Sequence, residues 1–275
     1  MTTATLGETV TGIGGEAFRG CSSLQSIVIP NAVTSLGQYA FAYCLQMTSV
    51  KMGTGVKTIS TYAFADCSAL TSMQIGSKVE TIETNVFYNC KALPEIEIPK
   101  SVKTIYNYVF KGCTSMKDVL IADRESILTL GSNGSSPLFS SCPLDSVYIG
   151  GNINYNTSSN YGYSPFYRNT SLRTVVITDK ETEISENEFY GCTNLQDVKI
   201  GDGVESFGDW AFSGCSSLKH FAFGMSVAQI GKEAFSDCTA MESITSRSPE
   251  PPVCGSQAFD EINKWECLLT VPAGN

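Results

Sequence analysis

Eleven cysteines are the residues of this chain best suited to chemistry, and their spacing decides which kind. Thiolates hold zinc in close pairs such as C-x₂-C, and no such pair occurs. Instead Cys21, Cys44, Cys67, Cys90 and Cys113 recur every 23 residues, and Cys142, Cys192, Cys215 and Cys238 continue the column. One cysteine per repeat reads as a buried spine of small apolar side chains rather than a metal site. Neighbours in such a column point the same way, which disfavours bonding between them. Cys254 and Cys267 stand outside the column and are the candidate disulfide pair.

Other reactive groups are sparse. His220 is the single histidine, so no second imidazole supports it. Its alternation with Phe221 and Phe223 places it on the outward face of a strand, as a solvated side chain rather than a general base. The pairs Glu181/Glu183 and Glu186/Glu188 read as solvated loop faces rather than acid–base dyads or calcium ligands. Gly201-Asp202-Gly203 has no helical pattern after it and reads as a turn, not a phosphate cradle. The expectation is a non-enzyme with no metal, no cofactor and no catalytic residue.

The elements that carry these residues repeat with a fixed period. Phe18, Phe41, Phe64, Phe87 and Phe110 are each 23 residues apart, and Phe189, Phe212 and Phe235 resume the beat. Phe139 and Phe166 come at longer steps between the two runs, and Phe259 closes the series. A period in this range marks a solenoid, in which each repeat is one turn and stacked turns cover one another's apolar columns. Apolar pairs spaced by two, such as Ile27/Ile29, Val50/Met52 and Val175/Ile177, give each turn a short strand with one face inward. A Pro or Gly then turns the chain, and a second apolar pair (Val33/Leu36, Val56/Ile59, Val79/Ile82, Val102/Ile105) lies on the way back. The fold expected is an α/β or mainly β solenoid, right-handed, with turns of about 23 residues and parallel β-structure. A parallel β-helix is the alternative. The array is read as a single domain over 1–275, enlarged at about 122–165.

The unit AF-x-x-C-x-x-L-x-x-I-x-I-P, followed by V-x-x-I, resembles the BspA-like class of leucine-rich repeats. Ala17-Phe18, Cys21, Leu24, Ile27, Ile29, Pro30, Val33 and Leu36 match it in order. The resemblance covers roughly the whole chain and implies a leucine-rich-repeat solenoid. It also implies a cell-surface or secreted protein used in adhesion or host interaction, with host extracellular protein or glycan as the partner and no catalytic motif to carry over. The departures lie in the middle, where Asn169 replaces the column cysteine and Glu181 breaks the valine column.

Composition narrows the partners. Hydrophobic residues make up 42% and charged residues 16%, which argues against disorder. Eighteen basic against 27 acidic residues give a net charge of −9, so nucleic acid is not an expected partner. No apolar run is long enough to span a bilayer, so this segment is not expected to insert in a membrane. The opening MTTATLGETV lacks a signal-peptide pattern and already reads as half a repeat, as in an excised array.

For binding, the outward strand positions offer mostly small and polar side chains. The enlarged turns are richer: Asp123 to Pro137 and Gly150 to Pro165 are expected to emerge side by side as one ridge. Tyr155, Tyr161 and Tyr163 lie among Asn, Ser and Gly there, with Tyr148 and Tyr167 flanking, a composition suited to recognition or to sugar stacking. The alternatives are tyrosines that pack down on the repeat core, and a chain that serves only as a spacer or presenting stalk in a longer surface protein.

Overall fold

The computed structural model describes residues 3–131, 137–155 and 164–272. These form about eleven turns of parallel β-solenoid, and the described residues contain no helix, which resolves the fold class as mainly β. The chain divides into two compact units. The first comprises Met1–Leu120 with Leu128–Pro143, and the second Ile121–Ile127 with Leu144–Asn275.

In the first unit, strands Thr3–Thr5, Ser26–Ile29, Ser49–Met52 and Ser72–Gln74 pair in parallel, with Ile27 opposite Val50 and Val50 opposite Met73. The β-branched and apolar members alternate inward, so Ile27 and Ile29 are buried while Val28 is exposed. A second ladder joins Thr58–Ile59, Thr81–Ile82, Thr104–Ile105 and Leu128–Leu130. Thr81 pairs with Thr104, 23 residues on, whereas Thr104 pairs with Thr129, so extra residues ahead of the last strand leave its pairing intact.

A third ladder runs along the phenylalanine corner. Tyr39 N donates to Thr61 O (3.1 Å), Phe41 N to Ala63 O (2.8 Å) and Tyr43 N to Ala65 O (2.8 Å). Inside that corner the rings stack at 5.1–5.9 Å from Phe18 through Phe139. Phe41, Phe64, Phe87 and Phe110 are fully buried. Phe18 and Cys21, expected in the core, are only half-buried, because Phe41 alone stacks on Phe18.

The second unit repeats the plan. Ser146–Ile149, Thr174–Ile177 and Asp197–Ile200 form one parallel ladder, and His220–Phe223, Ser243–Ser246 and Leu268–Thr270 another. Glu183–Ile184, Ser206–Phe207, Gln229–Ile230 and Val253–Cys254 make the return ladder. Phe166, Phe189, Phe212, Phe235 and Phe259 stack at 5.0–5.5 Å. Phe207, Phe221 and Phe223 add tilted and edge-on rings around Phe212 and Phe235.

The cysteine column does more than fill space. Each thiol donates to the carbonyl of the phenylalanine one turn earlier: Cys44 to Phe18, Cys67 to Phe41, Cys90 to Phe64 and Cys113 to Phe87, all at 3.2 Å. Cys192, Cys215 and Cys238 do the same in the second unit. Burial pushes the Cys113, Cys192 and Cys238 thiols up to about 12, so they stay protonated and able to donate.

Candidate functional site

The phenylalanine corner also builds an outer surface. The residues two before and two after the regularly spaced Phe adopt left-handed backbone, as at Tyr39 (φ 55°), Tyr43 (62°), Tyr62 (58°), Asp66 (58°), Asn85 (59°) and Tyr108 (59°). Asn and Asp tolerate this region, but for a bulky side chain it costs roughly 1–3 kcal/mol. The corner ladder offsets that strain by pairing the backbone of regular neighbouring turns, as from Phe41 to Ala63, Phe64 to Val86 and Phe87 to Val109. With each Phe ring directed inward, its left-handed neighbours line up on the outside.

In the first unit this surface forms a cleft of about 730 Å³. Its aromatic wall is Tyr39, Tyr43, Tyr62, Tyr88 and Tyr108. Tyr39 and Tyr62 stack at 4.7 Å and 6°, and Tyr88 meets Tyr62 edge-on at 6.5 Å and 67°. Arg19 spans Tyr39 and Tyr43 (5.3 and 5.5 Å) while paired with Glu16 at 3.1 Å, and the Lys111 ammonium stands 5.2 Å from Tyr108. Asp66 accepts from Asn89 Nδ2 at 2.9 Å. Burial, then the neighbouring tyrosines, raise the Tyr62 phenol above its ordinary value, so it remains a neutral donor.

The sequence reading missed this cleft. Its signal was present: the column two residues before Phe runs Glu16, Tyr39, Tyr62, Asn85, Tyr108. Only the left-handed backbone reveals that this column faces outward.

The expected tyrosine ridge is placed differently. Tyr148 lies on an outer strand and donates to Asp123 Oδ1 at 2.8 Å. Tyr167 lies on the second unit's corner, stacked on Tyr190 at 5.1 Å, with Arg168 over both rings. Tyr155 is a correction: it ends the strand Ile153–Tyr155, is 8% exposed, and donates its hydroxyl to Glu186 O at 2.9 Å. Strand alternation turns its ring inward, so it offers no surface to a partner. The three therefore belong to three different segments of the turn, while Tyr161 and Tyr163 lie outside the described residues. The extra residues do not all loop out either, since Leu128, Leu130 and Ile153 are buried in return strands.

The carboxylate pairs are a second correction. Glu183 and Glu186 are exposed, but Glu181 (1% exposed) and Glu188 (0%) are buried. They occupy the valine column and the position before Phe189, both of which face the core. Glu188 Oε2 accepts from Ser185 N at 2.9 Å, and among the described residues the Glu181 oxygens make no complete hydrogen bond, the Ile153 backbone N–H being the donor beside them. Burial first, then the Glu188 charge, raises Glu181 to about 10, and burial raises Glu188 to about 8.

Register brings together one pair that the sequence did not suggest. His220 pairs with Ser243, setting Nδ1 2.9 Å from Ser243 Oγ, and Glu242 Oε2 lies 3.9 Å from Nε2. The atom types are those of a Ser–His–acid triad. However, the His220 side chain is 67% exposed and Glu242 is taken by Lys219 at 2.7 Å, so nothing excludes water or fixes the acid on the imidazole. Cys254 and Cys267, expected as a disulfide pair, are both free thiols that line one apolar groove of about 550 Å³ with Phe259 and Leu269. Among the described residues, no group of three or more His, Cys, Asp or Glu is gathered around a metal position, and no helix is long and apolar enough to cross a membrane.

The model of the BspA type leucine rich repeat region matches six copies, over residues 1–117, 35–165 and 159–267. In fold the chain is similar to a leucine-rich repeat protein from Bacteroides ovatus, at 20% identity, covering 98% of this chain and 92% of that one, TM-score 0.39. It is similar to a leucine rich cell surface protein from Faecalibacterium prausnitzii at 21% identity, covering 100% and 80%, TM-score 0.40. TLR13, from a TLR13–ssRNA13 complex, is similar at 14% identity over 95% of this chain and 38% of that one, TM-score 0.52. At these identities the likeness is one of fold. Among curated proteins, none matches.

Proposed function

Because the chain belongs to the BspA-type leucine-rich-repeat family, we propose that it is a non-catalytic recognition module of the cell surface, adhering to host protein or glycan. The observation that carries this reading is the tyrosine cleft of the first unit. Tyr39, Tyr62 and Tyr88 there are held by ring contacts and by the corner backbone, so they present amphipathic edges at little entropic cost on binding. Arg, Lys, Asp and Asn around them supply directional polar contacts. The cleft holds no histidine or cysteine that could serve as base or nucleophile, which favours binding over turnover.

The test is a screen of the purified chain against immobilised extracellular-matrix proteins and a glycan array, with Tyr62→Ala/Tyr108→Ala alongside. A ligand lost at least tenfold in a variant with unchanged circular dichroism is the expected result. A ligand retained at full strength would move recognition elsewhere. Capture of nothing on either panel would favour the spacer role.

A further inference from the structure

The tyrosine column of the first unit is interrupted once. Tyr39 and Tyr62 stack on consecutive turns, Tyr108 closes the run, and the turn between them carries Asn85 at the same place and the same backbone angle (59°, against 55°, 58° and 59°). Asn85 is only 9% exposed, yet it lines the cleft. Its backbone is satisfied, its N donating to Asn107 O and its O accepting from Tyr88 N. Its side-chain amide makes no hydrogen bond among the described residues. The amide keeps access to solvent on the cleft, so it is free to exchange bound water for a ligand's polar groups.

We propose that the break in the tyrosine column at Asn85 is a subsite for a neutral hexopyranose ring of a glycan. This deepens the recognition reading and rests on it. Turns repeat at about 4.8 Å, so a ring entering over Asn85 lies one turn from Tyr62 and one from Tyr108, beside Tyr88, which meets Tyr62 edge-on. A pyranose presents axial C–H groups for such contact and hydroxyls around its rim. The amide offers two donors and one acceptor, matching vicinal hydroxyls that each donate and accept. An aliphatic or aromatic side chain of a protein partner would cover the same rings and leave the amide unsatisfied. The charges lining the cleft balance, Glu16 and Asp66 against Arg19 and Lys111, which favours a neutral sugar over a sulfated or sialylated one.

The discriminating variant is Asn85→Tyr. It completes the column with the residue found at the same backbone angle on three other turns, so the fold is expected to persist, and it fills the subsite. Asn85→Gly keeps the break and the left-handed backbone but removes the amide. The whole ¹⁵N-labelled chain is titrated with methyl β-D-galactopyranoside, methyl β-D-glucopyranoside and methyl α-D-mannopyranoside, following the Asn85 side-chain amide in the native chain and the backbone amides of Tyr62, Tyr88 and Tyr108 in the native chain and both variants by NMR. Saturable shifts with at least one glycoside, weakened about tenfold or more in both variants, are expected. Absence of shifts with all three, or shifts unchanged in a folded Asn85→Tyr chain, overturns the sugar subsite. If the chain then still captures a matrix protein through Tyr62 and Tyr108, the recognition reading survives and the occupant is protein. If it captures neither, both readings fall.

Discussion

The turn carrying Val79 and Val86 in the first unit and the turn carrying Glu181 and Glu188 in the second put opposite chemistry in the same two places. Val79 and Val86 are fully buried, and so, within 1%, are the two carboxyl groups. Both turns keep the solenoid register, Thr58 pairing with Thr81 and Glu183 with Ser206. Burial in this fold is therefore dictated by position in the ladder rather than by side-chain polarity. Three backbone ladders hold each turn, so a single turn can carry two carboxyl groups inward while its neighbours hold their register. The cost appears as proton uptake.

Removing a ring from the phenylalanine stack has the largest expected effect, and it separates the two units. Phe64 has ring partners on both sides, Phe41 and Phe87, and its truncation to Ala is expected to cost about 3–5 kcal/mol. Phe212 touches Phe189, Phe207, Phe221 and Phe235, so Phe212→Ala leaves more unsupported rings and belongs at the upper end of that range. Urea unfolding followed by circular dichroism measures both. Equal and small losses would contradict the ring stack as the core of either unit.

The buried carboxyl groups come next. Each has a folded value above the ordinary 4.5, at about 10 for Glu181 and about 8 for Glu188. The folded state binds more protons than the unfolded chain, so the stability that protonation gives is fully present below pH 4.5. It is lost as pH rises, until Glu188 titrates near 8 and Glu181 near 10. Between pH 4.5 and pH 7 the second unit should lose roughly 3 kcal/mol per group as an upper figure. Trp210, half-buried in that unit with Lys232 over its ring, follows its unfolding by fluorescence, whereas the second tryptophan, Trp265, is 97% exposed and reports little. Glu181→Val/Glu188→Val should flatten the pH dependence and raise stability, as replacement of buried charges by apolar groups commonly does. A slope unchanged in the double variant would assign the dependence to other groups.

How much of this was legible follows from what repeats. Phe64, Cys67 and the Val50/Met52 pair return every 23 residues, and recurrence alone identifies them as inward columns, which the strand registers match. The same register buries Glu181 and Glu188, although their residue type alone points to solvent. The tyrosine cleft escaped for a different reason. Tyr39, Tyr62 and Tyr108 recur with the same period, yet strand or helix alternation cannot tell which way a left-handed corner residue points. The tyrosine-dense segment around Tyr155 carries the stronger compositional signal, yet the Tyr155 ring is core. Cys67 was read as apolar filler, and its hydrogen bond was invisible because it joins residues 26 apart through a backbone carbonyl.

That hydrogen bond gives the smallest of the expected effects and returns to the contrast between the units. In the first unit the thiol column is unbroken from Cys44 to Cys113, each member donating to a phenylalanine carbonyl. In the second unit Asn169 stands at the same place and is itself 8% exposed. Cys67→Ala removes the donor to Phe41 O and a little volume, and should cost about 1 kcal/mol for the bond with a small cavity added. Cys67→Ser keeps a donor of shorter reach and should cost less than Ala. Cys67→Asn imports the second unit's residue into the regular column, where closely packed neighbours must accommodate a longer side chain, and should cost about 1–3 kcal/mol. If Asn instead proves neutral at position 67, the column requires only a small donor, and the cysteines of the first unit are one solution among several. If Asn is costly there, its presence at position 169 depends on the irregular turn around it, and the departure from the repeat is local to that turn.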